Sequence, residues 1–198
     1  MTQILLTARR AAALEVVPNR NARRVFAVAV FVMLTALGAY AAVPMPGSAV
    51  PVTLQTLFVS LAGVLLGARL GAVAMTTYVL IGLMGAPVFS LGFGGPAVLL
   101  GPTGGYLLAF PLAAAVTGML APRRDATSPL ATLRLGVAIL LGTFVVFAGG
   151  FAQLALLLGD PLRAFAVGVV PFLIGDVVKT LLALLIARRL RNRTLGLL

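Results

Sequence analysis

The sequence predicts an all-α integral membrane protein, a six-transmembrane-helix bundle with both termini cytoplasmic. Three observations lead there. Hydrophobic residues make up 61% of the 198-residue chain, and the mean hydropathy is +1.14. Charged residues are 10% of the chain, against about 25% in an ordinary soluble domain. The charges also alternate in position. Every arginine except Arg163 falls in the N-terminal stretch, the turn at Arg69, the stretch of Arg123, Arg124 and Arg134, or the C-terminal tail. The loops between these carry almost none, as expected when arginines mark the cytoplasmic ends of spans. The chain then divides into a basic cytoplasmic N-terminal segment (1–24), a six-helix membrane domain (25–187) and a basic cytoplasmic tail (188–198).

The first span is read at 25–43, a run without a charged residue and long enough to cross a bilayer. That length separates it from the apolar core of a cleaved signal, although Arg23 and Arg24 precede it. Its Thr35/Ala39 and Gly38/Ala42 spacings permit close helix–helix approach. The stretch 44–51, PMPGSAVP, is a proline-rich loop. The second span is placed at 52–68 and the third at 70–84, with Arg69 between them. The stretch 87–105, PVFSLGFGGPAVLLGPTGG, is apolar but interrupted by glycine and proline, so it is not one continuous helix. Such backbone is tolerated at membrane depth where it is buried in protein or lines a cavity. The fourth span is expected at 106–121, the fifth at 133–158 and the sixth at 164–187.

Composition excludes several functions. The net charge of +11 lies in clusters between apolar runs rather than on a soluble surface, so no nucleic acid is expected as a partner; the lipid bilayer is. There is no cysteine and no histidine, and the acids are Glu15, Asp125, Asp160 and Asp176 alone. Thiolate metal sites and histidine general-base catalysis are therefore absent, and neither an enzyme nor a cofactor is expected. GDVVKT (175–180) lacks the glycine before lysine and the preceding strand that a phosphate-binding P-loop needs, so any ATPase lies on another chain.

The unusual stretch is PFLIGDVVKT (171–180). It places Asp176 and the sole lysine, Lys179, inside an apolar run and on one face of a helix. Each would cost roughly 2.5–3.5 kcal/mol at a span centre, so such groups face a partner or a polar cavity. On a continuous sixth helix with its outer end near Gly168, Asp176 lies about 12 Å deeper. The pair is either a structural lock between helices, or one acceptor and one donor for a polar ligand, or a proton relay. Gln55, Tyr78, Phe89, Phe93 and Tyr106 cluster toward the same outer mouth. They are the further candidates for a small-molecule pocket, with Phe89 and Phe93 in a glycine-rich lid.

VPVTLQTLFVSLAGVLLGARLGA (50–72), YVLIGLMGAPVF (78–89), GPTGGYLLAF (101–110) and PFLIGDVVKTLLA (171–183), in that order, resemble the biotin-specific S component, the BioY family, of energy-coupling factor (ECF) transporters. The resemblance implies a six-helix bundle in the bacterial cytoplasmic membrane. It also implies biotin as ligand, and uptake powered by a transmembrane coupling protein and ABC-type ATPase subunits on other chains. It carries ligand contact onto Asp176 and Lys179, and contact with the coupling protein onto the small-residue face of the first helix. Gln55, Tyr78, Phe89 and Tyr106 complete the expected ligand-binding set. The alternative is a self-sufficient, proton-coupled secondary transporter using the same ion pair.

Overall fold

The computed structural model describes residues 19–122 and 128–197. Arg9, Arg10 and Glu15 of the basic N-terminal segment, and Arg123, Arg124 and Asp125, lie outside the described residues. The elements are α1 (Arg20–Tyr40), α2 (Gln55–Leu83), a 3-10 turn (Ser90–Gly92), α3 (Pro96–Leu100), α4 (Gly104–Leu120), α5 (Pro129–Leu158), α6 (Pro161–Gly168), a second 3-10 turn (Val170–Phe172) and α7 (Leu173–Leu197).

Local chemistry explains the boundaries. Asn19 caps α1 by accepting from the Asn21 N–H at 3.0 Å. The helix therefore takes in Arg20, Arg23 and Arg24, five residues earlier than the apolar run begins. Val43 and Val52 exchange backbone hydrogen bonds at 2.8 and 2.9 Å, which keeps the proline-rich loop extended and delays α2 to Gln55. α2 is two antiparallel arms. At Gly67 the backbone takes φ 80° and ψ 173°, open to glycine and not to a side-chain-bearing residue. Beyond it Gly71 returns against Ala62 and Gly63. The reversal lies two residues before Arg69. Ser128 caps α5 with Pro129 in the first turn, and Asp160 caps α6 with Pro161 likewise.

The expected continuous helix at 164–187 is corrected. The chain breaks between Gly168 and Leu173, because Pro171 has no N–H to give a helix and its ring excludes the preceding turn. Asp176 consequently sits in the first turn of α7 rather than deep within a helix.

α2 lies at the centre, packed against α1, α4 and α7; α5 packs against α4 and α6. Small residues set these approaches. A Cβ on Gly63 would stand 2.4 Å from the Ala114 carbonyl, and one on Gly149 would stand 2.7 Å from Ala109, the close backbone packing used between membrane helices. In α1, Thr35, Gly38 and Ala39 turn into the bundle, whereas Ala29, Met33, Leu37 and Tyr40 face outward. The periphery is greasy, with Phe26, Met84, Phe144, Leu156 and Ile174 exposed. Arg20–Tyr40, Gln55–Leu83, Pro129–Leu158 and Pro161–Arg191 are long and apolar enough to cross a bilayer, and Gly104–Leu120 is a shorter apolar helix. One end of the bundle gathers the starts of α1 and α5, the Gly67 reversal and the end of α7. There Arg191 is buried and donates to the carbonyls of Val64, Ala121 (3.2 Å) and Pro122 (2.7 Å). The loops 41–54 and 84–103 lie at the other end.

Candidate functional site

The loop end holds a small cavity of about 50 Å³. Thr53, Gln55 and Thr56 at the start of α2, Ser90 in the 3-10 turn, Tyr106 and Phe110 on α4, Phe147 on α5, and Phe172, Asp176 and Lys179 line it. The break at Pro171 places the α7 N-terminus here. Asp176 thereby lies in the first turn of α7, the end of a helix at which the dipole favours negative charge.

Asp176 and Lys179 form a buried ion pair through Oδ1 and Nζ. Thr56 closes the arrangement. Its Oγ1 accepts from Lys179 Nζ at 2.8 Å and donates to Asp176 Oδ1 at 3.1 Å. Lys179 also donates to the Thr53 carbonyl at 3.2 Å. All three ammonium hydrogens are thereby engaged. Asp176 is not saturated: both contacts go to Oδ1, and Oδ2 has no partner among the described residues. The site as it stands offers spare acceptor capacity, and therefore suits a ligand that presents an N–H or O–H.

A second chain of hydrogen bonds runs beside it. Thr53 Oγ1 donates to Gln55 Oε1 at 3.0 Å, Gln55 Nε2 donates to the Tyr78 hydroxyl at 2.7 Å, and that hydroxyl donates to the Val88 carbonyl at 2.7 Å. Tyr78 is wholly buried and stacks on Phe110, with centroids 6.3 Å apart. Phe89 is also wholly buried, edge-on to Tyr78 at 5.7 Å and seated over Gly82. Tyr106 donates to the Gly168 carbonyl at 2.7 Å, tying α4 to the end of α6.

Of the residues singled out from sequence, Gln55, Tyr106, Asp176 and Lys179 meet at the cavity. Tyr78 and Phe89 stand behind its wall. Phe93 is 60% exposed. The glycine-rich stretch is anchored at its margins by Tyr40 to the Pro87 carbonyl, Tyr78 to the Val88 carbonyl, and the Gly95 N–H to the Gly82 carbonyl. Between these anchors Leu91 holds a left-handed φ of 60°. Thr56 was not singled out. Its signal was a polar residue three after Thr53 at the mouth of an apolar helix, a spacing that places both on one face.

Fold and site together define a helical membrane protein with a ligand cavity at one end and a hydrogen-bonded ion pair in its wall. The chain belongs to the BioY family, whose profile it matches over residues 8–195. It is 41% identical over 174 residues to a probable biotin transporter BioY of Pyrococcus horikoshii, covering 88% of this chain and 99% of that one. To the biotin transporter BioY of Thermotoga maritima it is 41% identical over 170 residues, covering 86% and 96%. The fold superposes with a TM-score of 0.80 on a crystal structure of the S-component for biotin from an ECF-type ABC transporter. The identity there is 28%, with 88% of this chain and 93% of that chain covered.

Proposed function

We propose that this protein is the biotin-binding S component of an ECF-type vitamin importer, capturing biotin in the cavity at the α7 N-terminus. The observation that carries the reading is the Asp176–Thr56–Lys179 arrangement. It leaves one carboxylate oxygen unpartnered in a mostly apolar pocket. Biotin's ureido ring supplies N–H donors for Asp176 Oδ2 and a carbonyl that Lys179 reaches by exchanging its bond to the Thr53 carbonyl. Tyr106, Phe110, Phe147 and Phe172 suit the thiophane ring and aliphatic tail. Tyr78 and Phe89 act behind the wall, holding Gln55 and the 84–95 loop in place. The relatives carry transporter names, and no catalysis is assigned to the site.

The wider reading has six spans in the bacterial cytoplasmic membrane, with both termini inside and the cavity facing out. The support is the reversal at Gly67, which makes two arms of Gln55–Leu83, and the gathering of arginines at the opposite end. The coupling protein and ABC-type ATPase subunits are separate chains, and the outward α1 residues Ala29, Met33 and Tyr40 are the surface offered to the former.

Calorimetric titration of biotin into the purified protein and into Asp176→Asn and Lys179→Met variants tests the site. Both variants are expected to weaken binding at least tenfold; unchanged affinity in both refutes the assignment. In liposomes, uptake is expected only when coupling protein, ATPases and ATP are present. Uptake driven by a proton gradient alone would favour the secondary-transporter reading instead.

A further inference from the structure

Between α5 and α7 the bundle is not closed. Two stretches of groove, of about 610 and 590 Å³, share Leu140 and together run along the pair of helices on the bundle's greasy outer face. On α5 the walls fall at Thr132, Gly136 and Leu140, and on α7 at Val177, Leu184 and Arg188. These are helical spacings that keep one strip of each helix turned to the groove. Gly136 widens it: a Cβ built there meets nothing within 4 Å. The stretch at the basic end is apolar apart from Thr132 and the exposed Arg188, and the other stretch is apolar apart from Thr143, Asp176 and Thr180.

Arg188 has no carboxylate partner among the described residues. Of the described acids, Asp160 caps α6 at the loop end, and Asp176, which lines the groove at the end away from Arg188, is paired with Lys179. Arg191, one turn on, differs in being buried and satisfied by carbonyls. From Arg188 to Val177 the groove descends eleven residues, about 16 Å at 1.5 Å per residue. That is close to half of a bilayer's hydrocarbon core of about 30 Å, the depth of one leaflet.

We propose that the α5–α7 groove is a binding site for one anionic phospholipid. Its phosphate pairs with the Arg188 guanidinium, and one acyl chain lies along Gly136, Leu140 and Leu184 toward Val177. Charge and depth together select this occupant. A guanidinium matches a phosphodiester with two parallel hydrogen bonds, and the apolar part of the groove is one leaflet deep. The lipid would fill the space between the helix that carries Asp176 and its neighbour.

The chain has no tryptophan, so a Leu140→Trp variant gives a single tryptophan, excited selectively over tyrosine, at the middle of the groove. It is reconstituted in vesicles of unlabelled phosphatidylcholine containing either acyl-brominated phosphatidylglycerol or acyl-brominated phosphatidylcholine. Quenching by the anionic lipid is expected to reach half-maximum at a mole fraction at least fivefold lower than by the zwitterionic one. Adding Arg188→Gln should abolish that preference, and adding Gly136→Leu, whose Cβ has open space around it and whose branched end reaches into the groove, should abolish it independently. The thermal transition confirms that each variant is folded. Equal quenching by the two lipids in the Leu140→Trp chain overturns the proposal. So does a fluorophore that neither lipid reaches, together with a doubled mass, since a second copy would then cover the groove. None of these readouts depends on biotin, so they stand or fall apart from the proposed transport role.

Discussion

The Tyr78 hydroxyl lines no part of the cavity, yet it occupies the middle of a buried chain, accepting from Gln55 at 2.7 Å and donating to Val88 at 2.7 Å. Tyr78→Phe keeps the ring, and so keeps the contacts with Phe89 and Phe110, while removing both hydrogen bonds. The Gln55 amide is then left in a 5% exposed position without its acceptor. Leaving a buried donor unpaired costs about 1–3 kcal/mol, and the lost bond to the loop carbonyl about 1 kcal/mol more. The stability loss should total about 2–4 kcal/mol. The part felt by the ligand is the misplacement of Gln55. Taken at about 1.4 kcal/mol, it weakens biotin binding roughly tenfold. Titration calorimetry on the parent, Tyr78→Phe, Gln55→Ala and the double variant checks the route of the effect. If Tyr78 acts through Gln55, Tyr78→Phe should cost nothing further in the Gln55→Ala background. Parental affinity in Tyr78→Phe, or fully additive losses in the double variant, would refute the argument.

Thr56→Val removes the hydroxyl that joins Lys179 to Asp176. One hydrogen bond to a charged group is worth about 1.5–3 kcal/mol, so biotin affinity should fall roughly 10- to 100-fold, with Thr56→Ser restoring most of it in the same titration. Gly82→Ala sets a Cβ 2.1 Å from the Phe89 ring; displacing that ring should destabilise the protein by about 1–3 kcal/mol, read as a lowered thermal transition. Arg191→Met strips three carbonyl partners from the basic end. It should lower the thermal transition markedly and leave biotin affinity of the folded fraction unchanged.

Much of the helical arrangement was legible because it rests on composition and period. Uncharged apolar runs of bilayer length read directly as spans, and glycine and proline density identified 87–105 as something other than one continuous helix. Boundaries were less legible. α2 begins at Gln55 rather than 52 because Val43 and Val52 pair across a loop, and pairing between residues that distant leaves no mark on local hydropathy. The Gly67 reversal was displaced by two residues because a charge is easier to see than a φ of 80°. The break before α7 was missed although Pro171 was in view, since a proline within a long apolar run is also compatible with a kinked continuous helix.

The sequence by itself determined the membrane character, the absence of thiolate and imidazole chemistry, and the isolation of Asp176 and Lys179 in an apolar stretch. These are properties of residue type and short-range spacing, which no folding alters. Tertiary structure alone decided what the pair does. Only the break at Pro171 brings Asp176 to a helix N-terminus. Only the approach of α2 places Thr56, 120 residues away in sequence, between the two charges. Only the packing of α4 and the 84–95 loop turns Tyr106 toward the cavity and Tyr78 behind it. Which side chains complete an ion pair, and which carboxylate oxygen is left over, depends on distances between segments that the chain order does not encode locally.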